Sequence, residues 1–461
     1  MAQDIDTLFA TIEKVHPDMY AVYPKEQLDK DIERVKAKLA PSGDIAYFYK
    51  QVTPLVTQLG DGHTSTVPSF LGGKDFANAL LFPFSVKITY PDKEIFIQGD
   101  YTQTQNTIPI DAQIVSINSR NADSIAQKMM NYASGEKDFF KTKIVTQLFS
   151  SLLYVLYRDS IFEVEYMHNQ EKYSVQVKGI SSKERNKVAS QQDKFNAVPR
   201  CKNYSFTTLP EKNIGVIEFN EFIDMGKFKV FLDTTFRRLQ KENVGNLIID
   251  IRKNGGGDTD LGEELFQYIS PVPFSQFSKV VAKYSDIQKQ QQKPHYEKMY
   301  KQKIVQYSGL KKLRFKRAFK SEVKSELSTP NGTIRTYDIS KLIELRENNL
   351  RYTGNVYVLT SHASFSAASV FSWAFKYFKM GTVVGEETGS PAVLFGYMLS
   401  QKLPNTELSY TFSCRKFYNY GATDENTHGT LPDHEIAAEK ALDFTVELIE
   451  RKNSKTILNL Y

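Results

Sequence analysis

Four short segments of this 461-residue chain carry side chains suited to acyl transfer. The first is Ser361-His-Ala-Ser-Phe-Ser366-Ala-Ala-Ser369. An apolar stretch, Val356 to Leu359, precedes it, and a helix-like one, Val370 to Phe378, follows. A serine at a strand-to-helix junction has its hydroxyl presented on a sharp turn. The next backbone N–H groups point the same way, into the positive end of the helix dipole. That is the local geometry of a nucleophile. The ordinary alternative for Ser366 is a helix N-cap, a position serine commonly fills.

The second segment, Asp250-Ile-Arg-Lys-Asn-Gly-Gly-Gly257, follows a continuous apolar run and precedes a helical pattern. Its three glycines let the backbone approach a ligand and aim bare N–H groups at it. Neither Gly-x-x-x-x-Gly-Lys-Ser/Thr nor Gly-x-Gly-x-x-Gly is present, so the phosphate-loop signatures are missing. A tight structural turn and an oxyanion hole are the other readings. The third segment, Asp61-Gly-His63-Thr-Ser65, gives one of seven histidines backbone freedom and polar neighbours, which suits a general base. The fourth, Asp424-Glu-Asn-Thr-His-Gly-Thr-Leu-Pro-Asp433, offers carboxylates able to orient a histidine, or is an exposed loop.

The elements that must position these groups follow from periodicity. Residues 1–73 read as a helical segment ending in the His63 loop, with Ile5, Leu8, Phe9, Ile12 and Val15 at helical spacing. Residues 74–182 read as a β-rich module: Phe84–Tyr90 and Glu94–Gln98 alternate at period two, and Ile161–Tyr166 pairs with Tyr173–Val177 as a hairpin. Residues 183–203 are polar enough for a linker. From 204 to 461 strands and helices alternate, which predicts an α/β core. Its expected strands are Ile214–Phe219, Asn246–Ile251, 355–359 and Thr382–Gly385, and its helices 226–240, 260–269 and 366–378.

Composition bounds the function. Hydrophobic residues make up 41% and aromatics 13%, enough for a packed core. A net charge of +6 over 59 basic and 53 acidic residues does not argue for nucleic acid. The basic excess concentrates in Pro271–Pro330, with 14 Lys/Arg against 4 Asp/Glu, and reads as a solvated helical insertion spanning about 271–350. Cys201 and Cys414 lie far apart with no metal-ligand spacing, and no metal or cofactor is expected. No apolar run reaches membrane-spanning length, and the N-terminus lacks a basic patch with an apolar h-region.

Taken in order, the segments Leu59-Gly-Asp-Gly-His-Thr64, Ile214-Gly-Val-Ile-Glu-Phe-Asn220, Leu247–Gly257, Ser364–Ser369, Val384-Gly-Glu-Glu-Thr-Gly389 and Gly429-Thr-Leu-Pro-Asp433 resemble the C-terminal-processing, or tail-specific, serine peptidases. These share a core with the tricorn core protease and interphotoreceptor retinoid-binding protein. The resemblance implies a crotonase-like (ClpP/crotonase) β/α spiral core and a divergent PDZ-like module. It implies Ser366 as nucleophile, the N–H groups of Gly256, Gly257 and Ala367 as oxyanion hole, His63 as base and Glu425 as its carboxylate. It also implies polypeptide substrates and an extracytoplasmic location (periplasmic, secreted or lipid-anchored), with a leader missing from this chain.

Departures from the family pattern sharpen the expectation. Thr388-Gly-Ser-Pro-Ala392 lacks the lysine of the Ser-Lys branch, and Ser369 stands where that branch has a glutamate, so the histidine-type branch is favoured. Gly62 replaces the serine that precedes the tricorn histidine, leaving Glu425, Asp424, Thr64 and Ser65 as candidates to orient His63. Pro83, in the expected docking loop Leu81–Phe84, has no N–H to give a substrate C-terminus. The leading expectation is a serine endopeptidase acting on extended or unfolded polypeptides. A catalytically inactive peptide- or apolar-ligand-binding protein on the same scaffold is the second, and acyl-CoA chemistry a poorly supported third.

Overall fold

The apolar run Asn246–Asp250 forms the third strand of a six-stranded sheet, and its composition follows from that place. The strand order is Tyr204–Leu209, Ile214–Phe219, Asn246–Asp250, Asn355–Thr360, Thr382–Gly385 and His434–Glu435. The first pair is antiparallel and the others are parallel, with Ile217 beside Ile249, Ile249 beside Val358, and Val358 beside Val383. Helices Met225–Lys241, Asp260–Ile269 and Ala367–Tyr377 pack one face through Phe228, Leu232, Leu265 and Phe371. Helix Ala441–Leu458 covers Ile248, Tyr357 and Leu359 on the other. A parallel sheet covered on both sides needs apolar residues at every position, which is why the run does not alternate.

This computed structural model describes residues 1–40, 43–68, 76, 79–102, 107–195, 203–305 and 307–458. The chain divides into two compact units. A core unit comprises Leu71–Lys279, Asp338–Leu394 and Tyr418–Tyr461, and a second unit Met1–Phe70, Val280–Tyr337 and Phe395–Phe417. The fold is mixed α/β, as the strand and helix alternation predicts.

Within the core unit, residues 84–178 form an antiparallel sheet in the order Phe84–Ile88, Ile95–Asp100, Gln113–Ile117, Ile161–His168 and Glu171–Lys178. Helices Ala122–Met129 and Asp138–Tyr157 accompany it, and Phe82, Phe84, Phe149 and Phe162 are fully buried together. The stretch expected as a linker opens with a helix, Ser182–Phe195. Its polar composition suits an exposed helix as well as it suits an irregular connection. Cys201 lies outside the described residues.

In the second unit, helices Ala2–Val15, Lys25–Lys36 and Ile45–Thr57 bury Ile5, Leu8, Ile12, Leu28, Ile32 and Val52, as their spacing predicts. The Asp4 carboxylate accepts from the backbone N–H groups of Asn405 and Thr406 and from the Asn405 amide, holding the first helix to that turn. The basic stretch contributes two helices, Asp286–Ile304 and Gly309–Ser328. The latter buries no residue, as a solvated helix should. Strand Ser65–Val67 pairs antiparallel with Ser409–Asn419, setting Ser65 opposite Thr411. The Cys414 thiol is buried, and burial pushes it up to about 12.

Ile249 is wholly buried in the middle of the parallel sheet. Ile249→Ala should cost about 2–5 kcal/mol through lost apolar burial and the cavity left behind. Urea unfolding of both proteins, followed by circular dichroism, measures the difference.

Candidate active site

Strand Asn355–Thr360 ends where the sheet's helical layer begins, and the chain must turn sharply between Ser361 and Ala367. Two hydroxyls make that turn. Ser361 Oγ donates to the Arg252 carbonyl (2.5 Å), Ser364 Oγ donates to the Ile251 carbonyl (2.8 Å), and Ser364 Oγ also accepts from the Ser361 N–H (3.0 Å). The turn closes on Ser366, whose backbone sits at φ 52°, ψ −122°. A side chain at positive φ is strained, and such strain persists only where the surroundings impose it. Helix Ala367–Tyr377 starts on the next residue, and the Ser366 side chain makes no capping bond to it. The ordinary capping role is therefore not what holds a serine there.

The glycine loop lies directly against this turn. Asn254 is fully buried and bonds both ways: its Nδ2 donates to the Phe219 carbonyl (2.7 Å), and its Oδ1 accepts from the Gly256 N–H (2.8 Å). Its carbonyl accepts from the Phe365 N–H (3.0 Å). Gly256 and Gly257 have φ of +106° and +133°. A Cβ on Gly256 would stand 2.7 Å from Ser366 Cβ and 2.9 Å from the Ala367 nitrogen; one on Gly257 would collide with the Phe222 carbonyl.

These bonds sort the backbone donors. The Gly256 N–H is taken by Asn254, and the Ser366 N–H donates to Ser390 Oγ (2.8 Å). Those of Gly257 and Ala367 have no acceptor among the described residues. Behind the turn, Ser390 N–H donates to Ser369 Oγ (3.2 Å), which donates to the Ser364 carbonyl (2.8 Å). The Ser369 and Ser390 hydroxyls thus each accept a backbone N–H and brace the turn with neutral groups. The single tryptophan, Trp373, lies two turns along the helix and donates from Nε1 to the Tyr420 carbonyl (3.0 Å).

His63 belongs to the second unit, in the turn after helix Ile45–Thr57. The Thr411 hydroxyl donates to its carbonyl (2.9 Å). Its partner in charge is Asp61, which is wholly buried. Asp61 Oδ1 accepts from the His63 N–H (2.8 Å) and lies 3.7 Å from His63 Nδ1; Oδ2 accepts from Thr64 Oγ1 and faces His16 Nε2 at 3.3 Å. His16 Nδ1 accepts the Asp18 N–H (3.1 Å), so the neutral ring carries its proton on Nε2 and donates it to Asp61. Burial disfavours the charge on Asp61, but the bonds from His16 and His63 outweigh it and hold the carboxyl well below the ordinary aspartate range.

The structure therefore gathers Ser366, Ala367, Gly256 and Gly257 at one place in the core unit. Glu425 is exposed in a loop of that unit, where its N–H makes a long bond to Thr423 Oγ1 (3.4 Å). Asp424 accepts from the Tyr418 hydroxyl, and Thr64 donates to Asp61. Sequence reasoning did not single out Asp61 as an orienting group or Asn254 as the loop's brace. The signal for Asp61 was its spacing: two residues before His63 across a glycine, an arrangement that lets a carboxylate fold back onto the next N–H groups.

Residues 213–436 match peptidase family S41. Mature CPAF solved with lactacystin superposes with a TM-score of 0.66 at 12% identity, covering 100% of this chain and 98% of that one. A second structure of mature CPAF gives 0.61 at 12% identity, with 95% and 93% covered. The photosystem II D1 C-terminal processing protease gives 0.44 at 14% identity over 95% and 93%. No curated protein matches the chain. The chain is a serine peptidase, a hydrolase of peptide bonds. Its residues 213–436 are similar to the peptidases of family S41.

Two glycines side by side separate space from identity. Gly255 has nothing within 4 Å of an added Cβ, whereas Gly256 has Ser366 and Ala367. Gly255→Ala should keep casein hydrolysis close to wild type. Gly256→Ala should lower it by about 100-fold or more, the scale of one lost oxyanion donor. Initial rates with purified variants of matched circular dichroism provide the check.

Proposed function

We propose that this peptidase cleaves extended or unfolded polypeptide with Ser366 as nucleophile, His63 as general base, and the N–H groups of Gly257 and Ala367 as oxyanion hole. The observation that carries the reading is the Ser366 turn: a strained serine with no capping duty, beside two N–H groups without acceptors among the described residues. The hydroxyl attacks a substrate carbonyl as His63 takes its proton, and the tetrahedral oxygen is held by backbone donors. His63 then returns the proton to the leaving amine. Gly256 serves by having no side chain, since its N–H is already spent on Asn254. The reading requires the imidazole to come within about 2.6–3.2 Å of the hydroxyl when substrate is bound.

We assign the orienting role to Asp61 rather than Glu425, because Asp61 is buried, ionised and already bonded to the His63 loop. We further read the core as crotonase-like, residues 74–182 as a PDZ-like module ahead of a 204–461 peptidase core, and the working location as extracytoplasmic. Five antiparallel strands with two helices support the PDZ-like reading. Among the described residues no helix is long and apolar enough to cross a membrane.

Ser366→Ala should abolish casein hydrolysis and labelling by a fluorophosphonate probe while circular dichroism stays unchanged. Full activity in that variant would rule the mechanism out. His63→Ala should lower kcat by about 100- to 10,000-fold, the usual range for a general base.

Asp61→Asn should lower kcat by more than about tenfold with KM little changed, and Glu425→Gln should not. The stability lost in Asp61→Asn has a defined pH dependence. A carboxyl whose folded value is depressed stabilises above its unfolded value of about 3.9 and loses that stabilisation as pH falls toward the folded one. The gap between wild type and variant should therefore be full at pH 7 and narrow below about pH 4. Urea unfolding at the two pH values tests it.

A further inference from the structure

Helices Asp286–Ile304 and Gly309–Ser328 pack on each other as a hairpin. Aromatic rings knit its inner side. Phe315 stacks on Tyr307 with centroids 4.8 Å apart, and Phe319 lies 5.4 Å from Tyr300 and 5.7 Å from Phe315. Phe315, Phe319 and Val323 recur at four-residue steps, so they share one side of the second helix, and all three are half-buried. The opposite side carries another row. Leu310, Leu313, Arg317, Lys320 and Lys324 follow at steps of three and four residues, and every one of them is exposed.

That outer row is divided by chemistry. Its apolar members sit at the end where the two helices join: Leu310 is 76% exposed and Leu313 47%, and Val305, in the connection, is 77% exposed. Its cations lie behind them. The helix holds 7 Lys/Arg against 2 Glu. None of these cations takes part in an ion pair or a side-chain hydrogen bond among the described residues. Glu326 does not neutralise them: it takes hydrogen bonds from Tyr284 and Tyr337 and faces Arg335 at 4.0 Å. Lys311 and Lys312 stand in the first turn, which holds no acidic residue and where the helix dipole disfavours cations.

Single apolar side chains on a surface are ordinary, but several at one tip, backed by cations with no counter-charge, mark a surface made to meet something. Nucleic acid would engage the cations and leave the leucines in water. A bilayer with anionic headgroups engages both, because acyl chains lie just beneath the phosphates. We propose that the outer row of helix Gly309–Ser328 seats on an anionic lipid surface. Leu310, Leu313 and Val305 enter the boundary between headgroups and acyl chains. Arg317, Lys320 and Lys324 lie along the phosphates, with their long apolar stems reaching down beside them. From Leu310 to Lys324 the row runs about 21 Å at 1.5 Å per residue, so the helix lies along the surface with its leucine end dipped. The contact uses none of the groups assigned to peptide hydrolysis.

The test sediments the full chain with vesicles of phosphatidylcholine alone, or of phosphatidylcholine and phosphatidylglycerol in equal parts. The protein should pellet with the anionic vesicles and stay in solution with the neutral ones, and the bound fraction should fall as salt rises. Arg317→Gln, Lys320→Gln and Lys324→Gln combined should weaken binding about 100-fold, at about fivefold per cation. Leu310→Ser with Leu313→Ser should weaken it about tenfold through the apolar area no longer buried. All five positions are exposed, so both variants should keep the parent's circular dichroism and casein hydrolysis. Equal binding to the two kinds of vesicle, binding to neither, or anionic binding that survives the charge variant would overturn the proposal. So would loss in the charge variant with none in the leucine variant, which would mean a purely electrostatic contact. Retention on immobilised polyglutamate or duplex RNA without vesicle binding would assign the surface to that partner and overturn the lipid reading.

Discussion

The Ser366 turn depends on one close approach. The loop after strand Asn246–Asp250 and the turn after strand Asn355–Thr360 leave neighbouring parallel strands at the same end of the sheet, and their backbones touch at Gly256. Ser361 and Ser364 hydroxyls and the Phe365 N–H bond one loop to the other, and Asn254 braces the glycines from within. The cost of holding Ser366 at positive φ is spread over these bonds. Removing the side chain at position 256 is what lets the bonds form, so a glycine is required there by contact as well as by dihedral angle.

Much of this was legible in the sequence, for physical reasons that differ by element. The parallel strands declared themselves because burial on both faces demands unbroken apolar runs. The N-terminal helices did so through a clean 3.6-residue period. Ser366 was identifiable as a strand-to-helix junction, yet capping and nucleophilic roles share the same sequence signal; only the dihedral angles and the missing cap bond separate them. The helix at Ser182–Phe195 was not separable from a linker, because an exposed polar helix and a polar connection share a composition.

The partners of charged groups were the least legible part. Asp61 and His16 are 45 residues apart and meet through a fold that no local pattern encodes. The family resemblance implied the Gly256 N–H as an oxyanion donor, but a side chain two residues earlier claims it. The helix Asp286–Ile304 read as a solvated part of a basic insertion, and its charge content supports that. Two residues on one of its faces, Gln288 and Gln292, are nonetheless drawn inside, with Tyr296 half-buried a turn further on, because amides can be buried where lysines cannot.

The chain's lone indole sits on the helix that begins beside Ser366, tied at its nitrogen to the Tyr420 carbonyl. Its emission therefore reports on that helix alone, against a background of 26 tyrosines that cannot be excited above about 295 nm in the same way. Fraying of the helix would register optically in the unlabelled protein, so its stability can be followed without attaching a dye.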